Sequence, residues 1–209
     1  MAFKVLRFIT HPIAQSFLIF DVIFYKLIML KSIFFAFCIV VFSNASAQQI
    51  EWMQMNEALE LQEKKPKKIL LFVYTEWCGY CHKMNKQTFV NKDVAKYINK
   101  HFYAVNFNGE GTEKVNYKDF EYTNPNHDPK RKGRNYQHFF ADALQITSYP
   151  AIVFFDENGD IISPVKGYKS PKDLEIYLKM IANDDYKTLT TAEAWQNYQA
   201  DFEPEFKVN

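Results

Sequence analysis

The stretch "KILLFVYTEWCGYCHKM" (68–84) joins an unbroken apolar run to a Cys-x-x-Cys pair. An apolar run of this length predicts a central β-strand over 68–75 that is covered on both faces. Residues 82–89 have helical composition, so the two cysteines are expected at the start of a helix. A helix N terminus stabilises a thiolate, and a second thiol one turn further in is placed to resolve a mixed disulfide. The sequence therefore predicts a redox dithiol in which Cys78 attacks and Cys81 resolves.

The same motif is compatible with three other chemistries. Cys78, Cys81 and His82 together match the attachment motif of c-type haem, although a haem-wrapping chain is expected to be mostly helical. A zinc site needs about four ligands, and the remaining histidines are scattered along the chain. A static disulfide on a binding domain would close a loop too small to constrain the unfolded chain strongly. We favour the dithiol and predict no metal site.

Patterns on both sides of the motif predict alternating helices and strands. A first helix is expected within 50–68, and the alternation over 102–108 predicts a strand. Asn91 is placed to cap a helix over 91–102. A further short helix is predicted over 136–146.

The C-terminal half carries clear turn and cap signals. Two apolar runs within 149–168 flank "NG" at 158–159, which favours a two-residue hairpin turn. Ser170 is placed to cap a helix over 170–181, and a last helix is expected over 191–202. Strands joined through helices are expected to be parallel, and the hairpin strands antiparallel. The pattern predicts an α/β fold with a central mixed β-sheet flanked by helices.

Residues 109–135 interrupt this pattern with a polar segment rich in turn-forming residues. We predict an inserted surface loop here, and long loops of this kind often contact substrates or partners. We interpret its basic run "KRKGR" (130–134) as a solvated excursion. The domain itself is expected to cover 48–185, followed by a C-terminal helical extension over 186–209.

The first 47 residues predict export. The apolar run 32–42 is short for a transmembrane helix and suits the central region of a signal peptide. It is followed by an A-x-A site that predicts cleavage after Ala47. A start at Met29 would complete a secretory signal, with 1–28 as an extended N-region. The predicted location is periplasmic or secreted, with an uncleaved N-terminal membrane anchor as the alternative.

Three stretches resemble the thioredoxin superfamily: "LLFVYTEWCGYC" (70–81), "ITSYPAIVFF" (146–155) and "ENGDIISPVKGYKSPKDLEIYL" (157–178). The resemblance covers roughly residues 50–182 and implies a thioredoxin fold. The region around the dithiol is similar to periplasmic thioredoxin-like proteins allied to the C-terminal domain of the transmembrane thiol:disulfide interchange protein. The tetrapeptide Cys-Gly-Tyr-Cys also matches the bacterial periplasmic disulfide isomerase.

The resemblance implies roles for three residues beside the dithiol. Pro150 is expected in a cis peptide bond close to the cysteines. The backbone of the preceding Tyr149 is expected to pair with a bound substrate chain. Trp77, directly before the attacking cysteine, matches the family as a further substrate-docking residue.

The chain departs from thioredoxins at two positions near the dithiol. Phe72 takes the place of a buried acid that helps to move the proton of the resolving thiol, so another base or a water must serve. Glu76 is near in sequence but is expected to be exposed. Tyr80 replaces a proline, which implies a more oxidising dithiol. His82, on the first helical turn, is a candidate for handling protons, and these last three residues are predicted to modulate the dithiol.

The sequence thus predicts an exported thiol–disulfide oxidoreductase that reduces or exchanges disulfides in protein substrates. The Cys78–Cys81 disulfide is the redox group, and no further cofactor is expected. The resemblance implies a reductase ahead of an isomerase or oxidase, supplied by a membrane thiol electron donor. The formal net charge of +1 carries no signature of a nucleic-acid partner. A thioredoxin-fold binding or chaperone module without redox turnover is the alternative.

Overall fold

A five-stranded sheet organises residues 49–207, which the computed structural model describes together with Lys26, Met29 and Lys31. The strands are β1 (Trp52–Met53), β2 (Lys68–Tyr74), β3 (Phe102–Asn108), β4 (Val115–Tyr117), β5 (Phe120–Tyr122), β6 (Ala151–Phe155) and β7 (Ile161–Lys166), of which β4 and β5 form a separate hairpin. The helices are α1 (Met55–Lys64), α2 (Gly79–Gln87), α3 (Lys92–His101), α4 (Phe139–Ala143), α5 (Pro171–Ala182) and α6 (Ala192–Asp201), and a short 3-10 helix covers Asp185–Lys187.

The strand order β1-β3-β2-β6-β7 confirms the predicted mixed sheet. β2 runs parallel to β3, and α2 and α3 supply the crossover that parallel neighbours require. β6 is antiparallel to β2, and β7 is antiparallel to β6. The α/β thioredoxin fold expected from the sequence is therefore present.

β2 lies between two apolar cores because successive side chains of a strand point to opposite faces. One face carries Leu70 and Phe72, which belong to the cluster that contains both cysteines. The other face carries Ile69, Leu71 and Val73, which pack with α1 and α4. All five side chains are fully buried, which explains why this segment shows no polar alternation.

The helix caps predicted at Asn91 and Ser170 are present. The side chain of Asn91 accepts hydrogen bonds from the backbone N–H of Asp93 (3.0 Å) and Val94 (3.1 Å) at the start of α3. Ser170 Oγ accepts from the backbone N–H of Asp173 (3.2 Å), whose carboxylate accepts from the Ser170 N–H (3.3 Å). These caps satisfy N–H groups that have no partner within the helix.

Two local predictions were wrong in detail. β1 pairs in parallel with β3, whereas the sequence suggested only a helix in this region. The loop of the β6–β7 hairpin has three residues, 157–159, and not two. The predicted two-residue turn needs a positive φ at both 158 and 159, but of these two only Gly159 has one (+77°). Asp156 N–H donates to Asp160 O at 2.9 Å, the pattern of a turn followed by a glycine bulge.

The insert, residues 109–135, contains more structure than the predicted surface loop. The side chains of Val115 and Tyr117 in its hairpin β4–β5 are buried in the apolar core that contains Ile69, Leu71 and Val73. The Tyr117 ring lies 5.6 Å from that of Phe140, and its hydroxyl donates to Gly159 O at 2.8 Å. Two apolar residues in a three-residue strand are too few to stand out in a polar sequence. The basic run 130–134 is exposed, as predicted.

The C-terminal extension is attached through Glu175 of α5, whose side chain is fully buried. Its two carboxylate oxygens accept hydrogen bonds from the backbone N–H of Glu205 (2.8 Å) and Phe206 (2.8 Å). Lys179, one turn along α5, pairs with the same carboxylate at 2.8 Å. These contacts hold the tail that follows α6 against α5.

The predicted export signal falls largely outside the part of the chain that is described. This holds for the apolar run 32–42, for the cleavage site after Ala47 and for most of 1–28. Among the described helices, none combines the length and the apolar character needed to cross a bilayer.

Candidate active site

The two cysteines form a disulfide at the first turn of α2. Their Cα atoms lie 5.2 Å apart, and Cys78 is the N-cap of the helix. The backbone N–H of Cys81 donates to Cys78 Sγ at 3.0 Å. The same N–H would stabilise a thiolate on Cys78 after reduction. The helix start therefore places the outer sulfur where negative charge is favoured.

The accessibility of the two sulfur residues differs in the expected direction. Cys78 is 4% exposed and Cys81 1% exposed, so both are more buried than the sequence suggested for an attacking thiol. The neighbouring Glu76, Trp77, Gly79 and Tyr80 are all exposed. A partner thiol or disulfide that approaches this surface meets Cys78 before Cys81.

An aromatic layer lies under the dithiol. Phe72 is fully buried in the same cluster as the cysteines, and its ring packs edge-on against Phe89 with centroids 4.8 Å apart. Asn106 of β3 stands in register with Phe72. Its side-chain oxygen is buried and has no hydrogen-bond partner among residues 49–207. β2 thus contributes no carboxylate here, and the polar group at this level of the sheet is an amide.

The three residues predicted to modulate the dithiol lie at its surface. His82 Nε2 is 2.8 Å from the carbonyl oxygen of Glu76, so this nitrogen carries the proton and donates it. This hydrogen bond ties the first turn of α2 to the segment that leaves β2. Tyr80 is 64% exposed, and its ring centroid is 6.4 Å from that of Tyr168. Glu76, Tyr80 and His82 all lie close to the cysteines in sequence. The hydrogen bond of His82 to Glu76 O gives this residue a structural role at the start of α2.

The Tyr149–Pro150 peptide bond is cis. Ala151, the next residue, pairs with Val73 near the end of β2, which brings this segment to the edge where the dithiol begins. The Tyr149 ring meets the Trp77 ring edge-on at 6.0 Å. Burial raises the pKa of Tyr149, and its neutral hydroxyl donates to Gln137 Oε1 at 2.8 Å. The predicted docking residues are therefore in contact with one another.

The insert closes on Trp77, which the sequence did not predict. Trp77 Nε1–H donates to Glu110 Oε2 at 2.8 Å, and the same oxygen accepts the backbone N–H of Asn135 at 2.8 Å. The guanidinium carbon of Arg134 lies 4.5 Å from the centroid of the Trp77 ring. Trp77, the residue before Cys78, is thus held from the edge and from the face by two ends of the insert.

Gly109 is a second contact that sequence analysis missed. Its N–H donates to Tyr74 O at 2.8 Å, and its carbonyl accepts from His138 N–H at 2.8 Å. A Cβ at this position would lie 2.7 Å from Cε1 and 2.7 Å from the hydroxyl oxygen of Tyr149. The glycine therefore allows the hydroxyl end of Tyr149 to pack against the start of the insert. The "GEG" that follows β3 was a turn signal, but nothing local tied it to Tyr149.

Comparison with known proteins gives one family and several distant relatives. Residues 55–182 match the family described as "Thioredoxin-like domain". The disulfide bond reductase DsbH of Chlamydia pneumoniae is 25% identical over 115 residues, which cover 54% of this chain and 61% of that protein. The match thus spans less than two thirds of the relative's length.

Solved structures add a likeness of fold. A thioredoxin-fold protein from Helicobacter pylori aligns with a TM-score of 0.50 at 21% identity, covering 75% of this chain and 87% of its own. A thioredoxin from Thermus thermophilus aligns with a TM-score of 0.49 at 15% identity, covering 64% and 87% respectively. At 21% identity the likeness to the Helicobacter pylori protein concerns the fold alone.

Proposed function

Because this chain belongs to the thioredoxin-like domain family, we propose that it is an exported thiol–disulfide oxidoreductase that works through Cys78 and Cys81. The observation that carries this proposal is the Cys78–Cys81 disulfide at the start of α2, with Cys78 the slightly more exposed residue of the two. A cysteine pair at a helix N terminus can alternate between dithiol and disulfide without moving the backbone far.

In the reducing direction, the Cys78 thiolate attacks one sulfur of a substrate disulfide. A bond forms between Cys78 and the substrate, and the second substrate sulfur leaves as a thiolate that takes up a proton. The Cys81 thiol then loses its proton and attacks Cys78 Sγ. This forms the Cys78–Cys81 bond and releases the other substrate thiol. Two electrons and two protons pass to the substrate. A membrane thiol donor then reduces the Cys78–Cys81 disulfide for the next turnover.

Trp77, Tyr149 and Pro150 form the docking surface for the substrate chain. Among residues 49–207, neither the N–H nor the C=O of Tyr149 has a hydrogen-bond partner, whereas Pro150 O accepts from Gly167 N–H at 2.8 Å. A free N–H and C=O beside the dithiol can pair with an extended substrate segment. Such pairing would place a substrate sulfur near Cys78.

We place a reductase ahead of an isomerase or oxidase, and one observation supports this order. The curated relative is named a disulfide bond reductase. The signal-like segment before Ala47 would deliver the domain to an oxidising compartment, where a reductase needs an electron supply across the membrane. Cleavage is checked by the first residue of the exported protein, which we expect to be Gln48.

The decisive experiment is reduction of insulin disulfides by the purified protein with dithiothreitol as electron source. We expect turnover to disappear in Cys78→Ser, whereas Cys81→Ala should accumulate a mixed disulfide with the substrate. Glu60→Gln, at an exposed position of α1 away from the motif, is the control and should leave turnover intact.

Wild-type protein without thiol-dependent turnover would contradict the enzyme and favour a binding or chaperone module. Visible absorbance of a covalently attached haem would favour the cytochrome interpretation. Haem attachment uses both cysteine sulfurs, which in this structure form a disulfide with each other. The reduction potential separates the directions. A reduction potential of about −270 mV indicates a reductase, and one of about −120 mV indicates an oxidase.

A further inference from the structure

The basic run of the insert reaches the edge of the dithiol surface. Arg134 lies over Trp77, and Trp77 directly precedes Cys78. Arg131 lies over the ring of Tyr136 with 4.9 Å between the guanidinium carbon and the ring centroid. Both rings are partly open to solvent, since Trp77 is 36% and Tyr136 51% exposed. We call the surface formed by Lys130, Arg131, Lys132, Arg134, Trp77 and Tyr136 the basic rim.

The positive charges of the basic rim are not neutralised within residues 49–207. None of its four cations lies within 4 Å of a carboxylate oxygen there. Two acids of the insert are engaged elsewhere: Glu110 accepts from Trp77 and Asn135, and Asp128 accepts from the backbone N–H of Lys130 at 2.9 Å. Four like charges within five residues repel one another. A negatively charged partner would relieve this repulsion.

The base of the rim is held in place by hydrogen bonds. Asn135 binds Asp128 twice, through its side-chain oxygen to the Asp128 N–H (3.0 Å) and through its amide to the Asp128 carbonyl (2.9 Å). Asn124, buried in the insert, donates to Tyr136 O at 2.9 Å. The backbone under the four cations is therefore closed into a loop, which lowers the entropy lost when a partner binds.

From this arrangement we propose that the basic rim binds acidic polypeptide segments that flank the disulfide of a substrate protein. The inference rests on the proposed function, since it names the substrates of the same dithiol. Arginine planes stacked on aromatic rings keep their N–H groups directed to solvent, and these groups match carboxylates in pairs. A substrate carboxylate near its cysteine would meet Arg134 as the sulfur meets Cys78.

The rim acts chiefly on encounter and on selection among substrates. Opposite charges raise the association rate by about tenfold or more at low ionic strength, and the gain falls as salt screens it. Substrates with basic residues beside their disulfide are disfavoured by the same charges. The insert thereby gives the dithiol a preference that the thioredoxin fold alone does not carry.

The test uses two pairs of peptides of equal length, one acidic and one basic. In the first pair each peptide contains one internal disulfide, and kcat/KM for its reduction is measured. In the second pair the cysteines are replaced by serine, and affinity is measured by fluorescence anisotropy. We expect the acidic peptide of each pair to be favoured about tenfold at about 0.05 M salt, and the preference to disappear near about 0.5 M.

The variant Lys130→Glu/Lys132→Glu reverses two of the four charges of the rim without touching the Trp77 contact, so the rim becomes neutral and the preference should disappear. Lys64→Glu/Lys65→Glu is the matched control, because these exposed residues precede β2 at the end opposite the dithiol. It should keep the wild-type preference. Equal affinity of the wild type for the two serine peptides, or an unchanged preference in the rim variant, would overturn the inference.

The two arms separate this inference from the proposed function. Preferred binding of the acidic serine peptide without reduction of either disulfide peptide refutes the oxidoreductase and leaves the docking surface standing. Reduction of both disulfide peptides at equal rates, with equal affinity for the serine peptides, refutes the docking surface and leaves the oxidoreductase standing.

Discussion

The insert and the C-terminal extension are two additions to one fold, and the contacts of each include a buried carboxylate. Glu110 is 9% exposed and accepts from Trp77 and Asn135 through one oxygen, Oε2. Glu175 is fully buried and engages both oxygens, with two backbone N–H groups and Lys179. The Glu110 carboxylate contacts Trp77, the residue beside the dithiol. The Glu175 carboxylate contacts the C-terminal tail.

The difference indicates that similar anchors serve different purposes. Loss of the Glu110 contacts would free the Trp77 side chain beside the dithiol, where the exposed N–H groups can find water. Loss of the Glu175 contacts would leave buried groups without partners, which is expensive in free energy. We therefore expect the insert to matter most for turnover and the extension most for stability.

The largest effect is expected for Glu175→Gln. The amide has only one oxygen, and its NH2 group would face a backbone N–H or the Lys179 ammonium, so the variant should lose about 3 kcal/mol of unfolding free energy. Urea unfolding measures this as a lower midpoint with an unchanged slope. Glu60→Gln, at an exposed position of α1, is the matched control and should change little. A loss below about 0.5 kcal/mol, the range of surface substitutions, would show that the anchor is dispensable.

Glu110 provides the opposite case. Glu110→Ala should lower kcat/KM for insulin reduction about tenfold, because Trp77 is no longer held beside Cys78. The unfolding free energy should fall by only about 1 kcal/mol, since the freed N–H groups lie near solvent. Steady-state kinetics and urea unfolding on the same sample measure both quantities.

Glu110→Gln sharpens this comparison with the Glu175 substitution. An amide oxygen can replace Oε2 in both hydrogen bonds, so turnover should stay close to that of the wild type. If Glu110→Ala reduced insulin at the wild-type rate, the contact with Trp77 would have no role in the reaction.

The smallest effect concerns pH and a second anchor of the insert, His138. Its Nε2–H donates to Glu113 O (2.7 Å), and its Nδ1 accepts from Phe140 N–H (3.0 Å). Burial lowers the pKa of His138, against the smaller opposing effects of the Glu113 carbonyl and the Asp142 carboxylate. A proton added to Nδ1 would face an N–H donor, so the folded state resists protonation.

Because the pKa of His138 is lower in the folded state than the unfolded value of about 6.5, the unfolded chain binds the proton more readily. The free energy of unfolding should therefore decrease as the pH falls below about 6.5, down to the folded-state pKa. Urea unfolding across this range measures the slope. His138→Asn keeps a capping oxygen but does not titrate, so its slope should be shallower. Equal slopes in the two proteins would exclude His138 as a source of the dependence.

The frame around the dithiol could be predicted because its signals are local. The unbroken run of β2, the caps at Asn91 and Ser170, and the Cys-x-x-Cys pair each lie within a few residues of the structure they specify. The cis bond at Tyr149–Pro150 was implied by family resemblance and not by any physical signal in this chain. The hairpin was predicted, but its turn was not, because glycine permits more than one loop length.

The sequence alone established a strand that runs into a cysteine pair at a helix start, since apolar runs, caps and motif spacing act over short range. It did not reveal what surrounds that pair. Glu110 meets Trp77 across 33 residues, and Gly109 meets Tyr149 across 40. These contacts exist because β3 and β6 pair on either side of β2 and bring their ends together. Strand pairing in a given register is a property of the whole sheet, so only the tertiary structure placed the insert beside the dithiol.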